Sequence, residues 1–185
     1  TIAPRNVPTS ALAAENAFVP GIPDARVWGD AKPEKLASEM ERFAPGLKRF
    51  AAAAPIVDGR PQVHVLAISG GGPGGAFGAG LLKGWSQRGN RPRLEVVTGV
   101  SAGAIIAPFA FRGPAYDAQL EQIWTKYQTS ELAVAEFLPA IFGGAALADT
   151  TPLRRLIERY VDNRMLRAVA REHARGRLLM IGTTN

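Results

Sequence analysis

With 185 residues, 46% of them hydrophobic and 21% charged, the chain is long and apolar enough for one globular domain with a sizeable core, and its composition is not that of a disordered protein. A formal net charge of +6, no Cys and no run of about 18 apolar residues exclude disulfides, thiolate chemistry and a transmembrane helix. The 20 Gly and 14 Pro point to tight turns and backbone-lined sites.

Residues 1–60 form a Pro-rich N-terminal arm. Pro4, Pro8, Pro20, Pro23, Pro33, Pro45 and Pro55 leave room only for short helices, over 34–43 and 47–53, with turns at 19–23. The arm is expected to wrap the domain formed by residues 61–185. The chain opens on Thr1 without a charged-then-apolar leader, so this start is expected to be a processed end or a cloning boundary.

The core begins at 63–69, Val-His-Val-Leu-Ala-Ile-Ser, a short apolar run rich in β-branched residues that suits a strand buried on both faces. A glycine loop follows at 70–75, then a helix over 76–88 closed by Gly89-Asn90. A second strand spans 94–98. A sharp turn at 99–103 leads into an apolar helix over 104–111. Strand, crossover helix and strand within about 37 residues make a βαβ unit with a parallel sheet. Further helices are expected over 116–127, 131–138, 152–160 and 165–175, and a third strand over 177–183. The stretch from Arg154 to Arg177 holds eight Arg against Glu158, Asp162 and Glu172, a net +5. Such a stretch is either a solvated pair of helices or a face for an anionic surface. It lacks the interleaved aromatics of a nucleic-acid platform, so nucleic acid is not expected as a partner.

Two glycine motifs could carry chemistry. Gly99-Val-Ser-Ala-Gly103 fits G-x-S-x-G, in which a serine sits on a tight strand-to-helix turn with its hydroxyl exposed. Gly99 and Gly103 are the flanking glycines of that elbow, and Ser101 is the candidate nucleophile. The loop Gly70-Gly71-Gly72 lets successive backbone N–H groups converge where a tetrahedral intermediate develops negative charge. Pro73 has no N–H, which leaves Gly71 and Gly72, with Gly74 as a further candidate donor. Both loops follow strands joined by one crossover helix, so both open on the same carboxyl edge of a parallel sheet, where ligands bind.

Gly70, Gly72 and Gly75 also fit the dinucleotide pattern G-x-G-x-x-G. That site wants an acid at the end of the second strand. Thr98-Gly99 stands there instead, and Glu95 lies at the strand's beginning. A P-loop is excluded because no Gly-Lys-Ser/Thr follows the glycines. No metal site is expected, since only His64 and His173 are available, far apart in sequence. His64 is expected to be structural and His173 to face solvent. No cofactor is expected.

The order of a strand, Gly-Gly-Gly-x-x-Gly, a βαβ unit and G-x-S-x-G resembles the patatin-like phospholipases over about residues 63–185. The stretches 99–110, 151–153 and 182–185 add to the resemblance, and residues 20–30 are similar to the arm of some bacterial members. The resemblance implies a three-layer α/β/α fold with a mostly parallel central sheet. It implies hydrolysis of lipid or phospholipid esters by a Ser–Asp dyad without a catalytic His, with Ser101 as nucleophile and Gly70, Gly71 and Gly72 as the oxyanion loop. Two departures stand out. Family loops carry Arg or Lys where Gly74 stands, so the oxyanion would rest on backbone donors alone. The family's Asp-Gly-Gly/Ala motif has no counterpart downstream of Ser101. Asp58-Gly59 precedes the first core strand and is not that motif. The fold is therefore expected to be incomplete at the C-terminus, with the Asp supplied by a further C-terminal segment. Peripheral membrane contact and an exported or membrane-associated bacterial setting are also expected. The rival readings are a dinucleotide-binding α/β domain and a catalytically inactive lipid-binding domain.

Overall fold

A computed structural model describes residues 33–129 and 151–183, together with Ser10, Leu12, Ala13, Arg26 and Gly29 as isolated positions. The expected turns at 19–23, the helix over 131–138 and the rest of residues 1–32 lie outside the described residues. Helix α1 (Pro33–Ala53) is followed by a hairpin of β1 (Ile56–Val57) and β2 (Arg60–Pro61). Then come β3 (Val65–Ile68), α2 (Gly75–Gln87), β4 (Val96–Val100), α3 (Ala102–Arg112) and α4 (Asp117–Thr129). The order closes with α5 (Thr151–Tyr160), α6 (Asn163–Ala174) and β5 (Leu178–Gly182).

β3, β4 and β5 form a parallel sheet with β4 in the middle. The fold is α/β, with helices packed on this sheet. Val65 pairs with Val96 and Ile68 with Gly99; on the other side Val97 pairs with Leu179 and Val100 with Gly182. This register puts Leu66, Val97 and Leu179 on one face. There Val97 belongs to the buried core, and Leu66 and Leu179 pack against it. The expectation that the first strand is buried on both faces is overturned, because Val65, on the other face, is 62% exposed. β3 has a hydrogen-bonded neighbour only in β4 among the described residues, and only its Leu66 and Ile68 reach the core.

Helix α3 is the centre of the core. Ile106, Ala107, Phe109, Ala110 and Phe111 are all buried, and full burial of a Phe or Ile side chain contributes roughly 1.5–3 kcal/mol. α2 adds Ala79 and Leu82, α4 Leu120 and Ile123, α5 Leu156 and α6 Met165. Phe109 meets the Tyr160 ring edge-on, with centroids 6.5 Å apart.

Two arginines tie these elements from inside. Arg91 donates to Asp117 (2.9 Å), to the Ala110 carbonyl (2.9 Å) and to Ser86 Oγ (3.1 Å), joining α4, α3 and α2. Arg177, just before β5, donates to Glu172 Oε2 (2.9 Å) and to the carbonyls of Leu94 and Phe111, and its guanidinium lies 4.1 Å from the Phe111 ring centroid. The 154–177 stretch is thus not wholly a solvated basic face, because Glu172 and Arg177 are buried.

Helix α1 runs unbroken through Pro45, where the sequence predicts two short helices. Pro45 costs one hydrogen bond, yet its side chain is exposed, so the ring meets water. The C-terminal half of α1 is held by tertiary contact. Phe50 is buried, and a Cβ on Gly176 would lie 2.8 Å from the Phe50 nitrogen. The hairpin was also not foreseen. Asp58 (φ 51°) and Gly59 (φ 73°) are the two positive-φ residues that turn β1 into β2, as Asp-Gly pairs do.

Candidate active site

The carboxyl edge of the sheet gathers both glycine motifs. β4 ends at Val100, Ser101 alone forms the turn, and α3 begins at Ala102. Ser101 has φ 56° and ψ −123°, a backbone that L-residues rarely adopt and that costs about 1–3 kcal/mol. The turn is therefore tighter than the five residues expected from sequence.

Gly99 and Gly103 make it possible. A Cβ on Gly99 would overlap the Gly103 carbonyl and lie 2.8 Å from Ala107 Cβ. One on Gly103 would overlap the Ile68 carbonyl and lie 2.8 Å from the Ser69 carbonyl oxygen. α3 can fold back against β4, and rest on the end of β3, only with glycine at both places.

The loop after β3 runs directly past the serine. A Cβ on Gly70 would lie 3.0 Å from Ser101 Cβ and 3.5 Å from its Oγ. Gly71 (φ 153°) and Gly72 (φ 52°) then turn the chain into a single 3₁₀ turn, Gly72–Gly74, that leads into α2. The Gly74 amide donates to the Gly71 carbonyl (2.9 Å), so Gly74 is not a free donor, contrary to expectation. No acceptor among the described residues takes the amides of Gly70, Gly71 or Gly72. Trp124 of α4 covers Gly75, where a Cβ would collide with the indole ring.

Ser101 Oγ is itself buried, with no hydrogen-bond partner among the described residues. The N-terminus of α3 points its partial positive charge at this place. Ala102, the first residue of α3, has an amide without an intrahelical acceptor. It was not singled out from the sequence, although the residue after the serine of G-x-S-x-G is a usual oxyanion donor. β5 ends beside the serine's strand, since a Cβ on Gly182 would lie 2.8 Å from Val100 Cγ2. β5 therefore ends at the same edge.

The other candidate groups lie elsewhere. His64 precedes β3, at the amino edge, and its Nδ1 is 3.1 Å from Glu95 Oε2, which also accepts the His64 amide at 2.8 Å. His173 is exposed near the end of α6, shortly before β5 begins. Asp58 is occupied in the hairpin turn. Glu95, the acid nearest to a dinucleotide's ribose site in sequence, is buried at the amino edge beside His64, a strand's length from the glycine loop. Among the described residues no three His, Cys, Asp or Glu side chains stand together as a metal site would need.

The model of the patatin-like phospholipase family matches residues 66–181, from β3 to β5. No curated protein and no solved structure gives a significant match to the chain.

Proposed function

The chain belongs to the patatin-like phospholipase family, whose members act on lipids, and from that membership we propose that it is a serine lipid acyl hydrolase with Ser101 as nucleophile. Ser101 Oγ attacks the ester carbonyl of a lipid and gives its proton to an aspartate. The carbonyl electron pair moves to oxygen, and the oxyanion takes hydrogen bonds from the Gly71 and Gly72 amides, with Gly70 completing the loop. Each such donor is worth about 3 kcal/mol in the transition state. Collapse expels the alcohol, which takes the proton, and water then cleaves the acyl-enzyme. The aspartate comes from outside the described residues, among which Ser101 Oγ has no partner.

The observation that carries this reading is the approach of Gly70 to Ser101, close enough that a Cβ on Gly70 would stand 3.0 Å from Ser101 Cβ. It brings the loop that carries the Gly70, Gly71 and Gly72 amides, which have no acceptor among the described residues, up to a serine on a positive-φ turn. One observation favours a second reading, a lipid-binding domain without turnover: Ser101 Oγ has no base among the described residues.

Intact-mass spectrometry after treatment with a fluorophosphonate decides between them. A single adduct on the wild type, absent from Ser101→Ala, is the expected result. A wild type that takes no adduct while it still binds phospholipid vesicles would sink the hydrolase reading in favour of the second.

A further inference from the structure

Helix α6 turns two rows of side chains to solvent. Arg164, Arg167 and Arg171 follow at i, i+3 and i+7 along one flank, and Leu166, Ala170 and Ala174 at i, i+4 and i+8 form the neighbouring row; all six are exposed. Leu166 alone is 53% exposed. The acid of this helix, Glu172, is buried with Met165 and Ala168 on the opposite side and answers to Arg177. Asp162 is spent as the N-cap, accepting the Met165 amide at 2.8 Å. The outward face of α6 therefore carries positive charge only.

Helix α5, joined to α6 through Val161 and Asp162, adds exposed Arg155, Arg159 and Ile157. Arg155, Arg159, Arg164, Arg167 and Arg171 make no ion pair with any described residue. An unpaired arginine row by itself is an ordinary solvated face. Beside it Leu166 stands 53% exposed, in line with Ala170 and Ala174, so no acidic side chain separates the cationic row from an apolar one. A helix with cationic and apolar rows side by side lies in the plane of a lipid surface, its arginines among anionic headgroups and its apolar row at the acyl boundary.

We propose that the outward face of α6, extended by the arginines of α5, docks the protein on an anionic phospholipid surface. The choice of a lipid partner rests on the acyl hydrolase reading. Neither row of α6 carries an aromatic side chain on which nucleic-acid bases could stack, which disfavours a nucleic-acid partner.

The test is co-sedimentation of the full chain with vesicles of ether-linked lipids, which offer no ester to cleave. One set is phosphatidylcholine alone and the other includes phosphatidylglycerol. Binding is expected only to the anionic set, falling as salt rises. Each arginine near such a surface contributes about fivefold, so Arg164→Gln/Arg167→Gln/Arg171→Gln should bind on the order of a hundredfold more weakly. Arg155→Gln/Arg159→Gln on the other helix gives a separate readout of roughly 25-fold. Circular dichroism checks that each variant is folded. Leu166→Ser should weaken vesicle binding and leave any binding to duplex DNA unchanged. Equal binding to both vesicle sets, or unchanged binding by the folded arginine variants, overturns the proposal. So does tighter binding to duplex DNA than to anionic vesicles. Turnover of a soluble short-chain ester, assayed without vesicles, reads the hydrolase separately. Its loss with vesicle binding intact sinks that reading and leaves the docking face standing.

Discussion

Ser101 and Asp58 are the two described residues other than glycine with positive φ. Asp58 tolerates that backbone in a two-residue hairpin turn, where an Asp side chain often stands. Ser101 has no such excuse of its own and is held from both sides. β4 fixes its amino side and α3 its carboxyl side, and Gly99 and Gly103 leave no slack between them. Strain so held presents the hydroxyl at one place, and that place is set by Gly70. Gly70→Ala would insert a methyl 3.0 Å from Ser101 Cβ, tighter than nine in ten real contacts, so loop and serine must give by a few tenths of an ångström. A full misplacement of about 1 Å costs on the order of a hundredfold in rate, and this smaller shift costs less. Fluorophosphonate labelling of Gly70→Ala should slow by less than that factor, while its circular dichroism stays that of the wild type. Labelling at the wild-type rate would show that the loop does not lie against the serine in solution.

At the scale of elements, most of what shapes the site was visible in residues 63–103. β3 and β4 are short apolar runs that lead into glycine motifs, Gly70–Gly72 after Ser69 and Gly99–Gly103 around Ser101. The serine and both elbow glycines were legible because one motif needs all three. The use of the Gly74 amide was not, because spacing alone does not mark a single 3₁₀ turn at Gly72–Gly74. Nor was the course of α1 through Pro45. Local rules break a helix at proline, whereas here contact of Phe50 with the Gly176 turn holds the far half in line. Pro45→Ala tests this continuity. It restores an N–H to bond the Glu41 carbonyl and should stabilise the protein by about 1–3 kcal/mol, raising the thermal midpoint and the helical signal. A drop in both would mean that the chain bends at Pro45 after all.

Across the whole molecule the two edges of the sheet have opposite characters. Among the described residues, the carboxyl edge keeps a strained serine, a buried hydroxyl without partner and amides without acceptors. The amino edge pairs Arg177 with Glu172 and with the carbonyls of Leu94 and Phe111, although Arg112 Nε beside them has no hydrogen-bond partner among the described residues. That network joins α3 and α6 to the stretches just before β4 and β5. Sequence reading took its charges for solvated ones because burial of an Arg and a Glu five residues apart leaves no trace in spacing. Burial works against the charged form of Glu172, but hydrogen bonds from Arg177 and Arg175 and the charges of Arg177 and Arg93 outweigh it and hold the carboxyl below its ordinary range. Burial in turn lowers the Arg177 guanidinium from its usual value, with Glu172 opposing. A carboxyl depressed by folding stabilises the native state fully above its unfolded value, about 4.3, and that contribution is lost as pH falls toward the folded value. Glu172→Gln should cost about 3 kcal/mol at neutral pH, since Arg177 is left buried without its counter-charge. The gap between wild type and variant should then narrow as pH drops from about 5 to 3. Urea midpoints of both proteins across that range measure it. A gap that stays constant would mean that Glu172 is held by packing and not by its charge, and the arginine clamp would lose its place in the stability of the site.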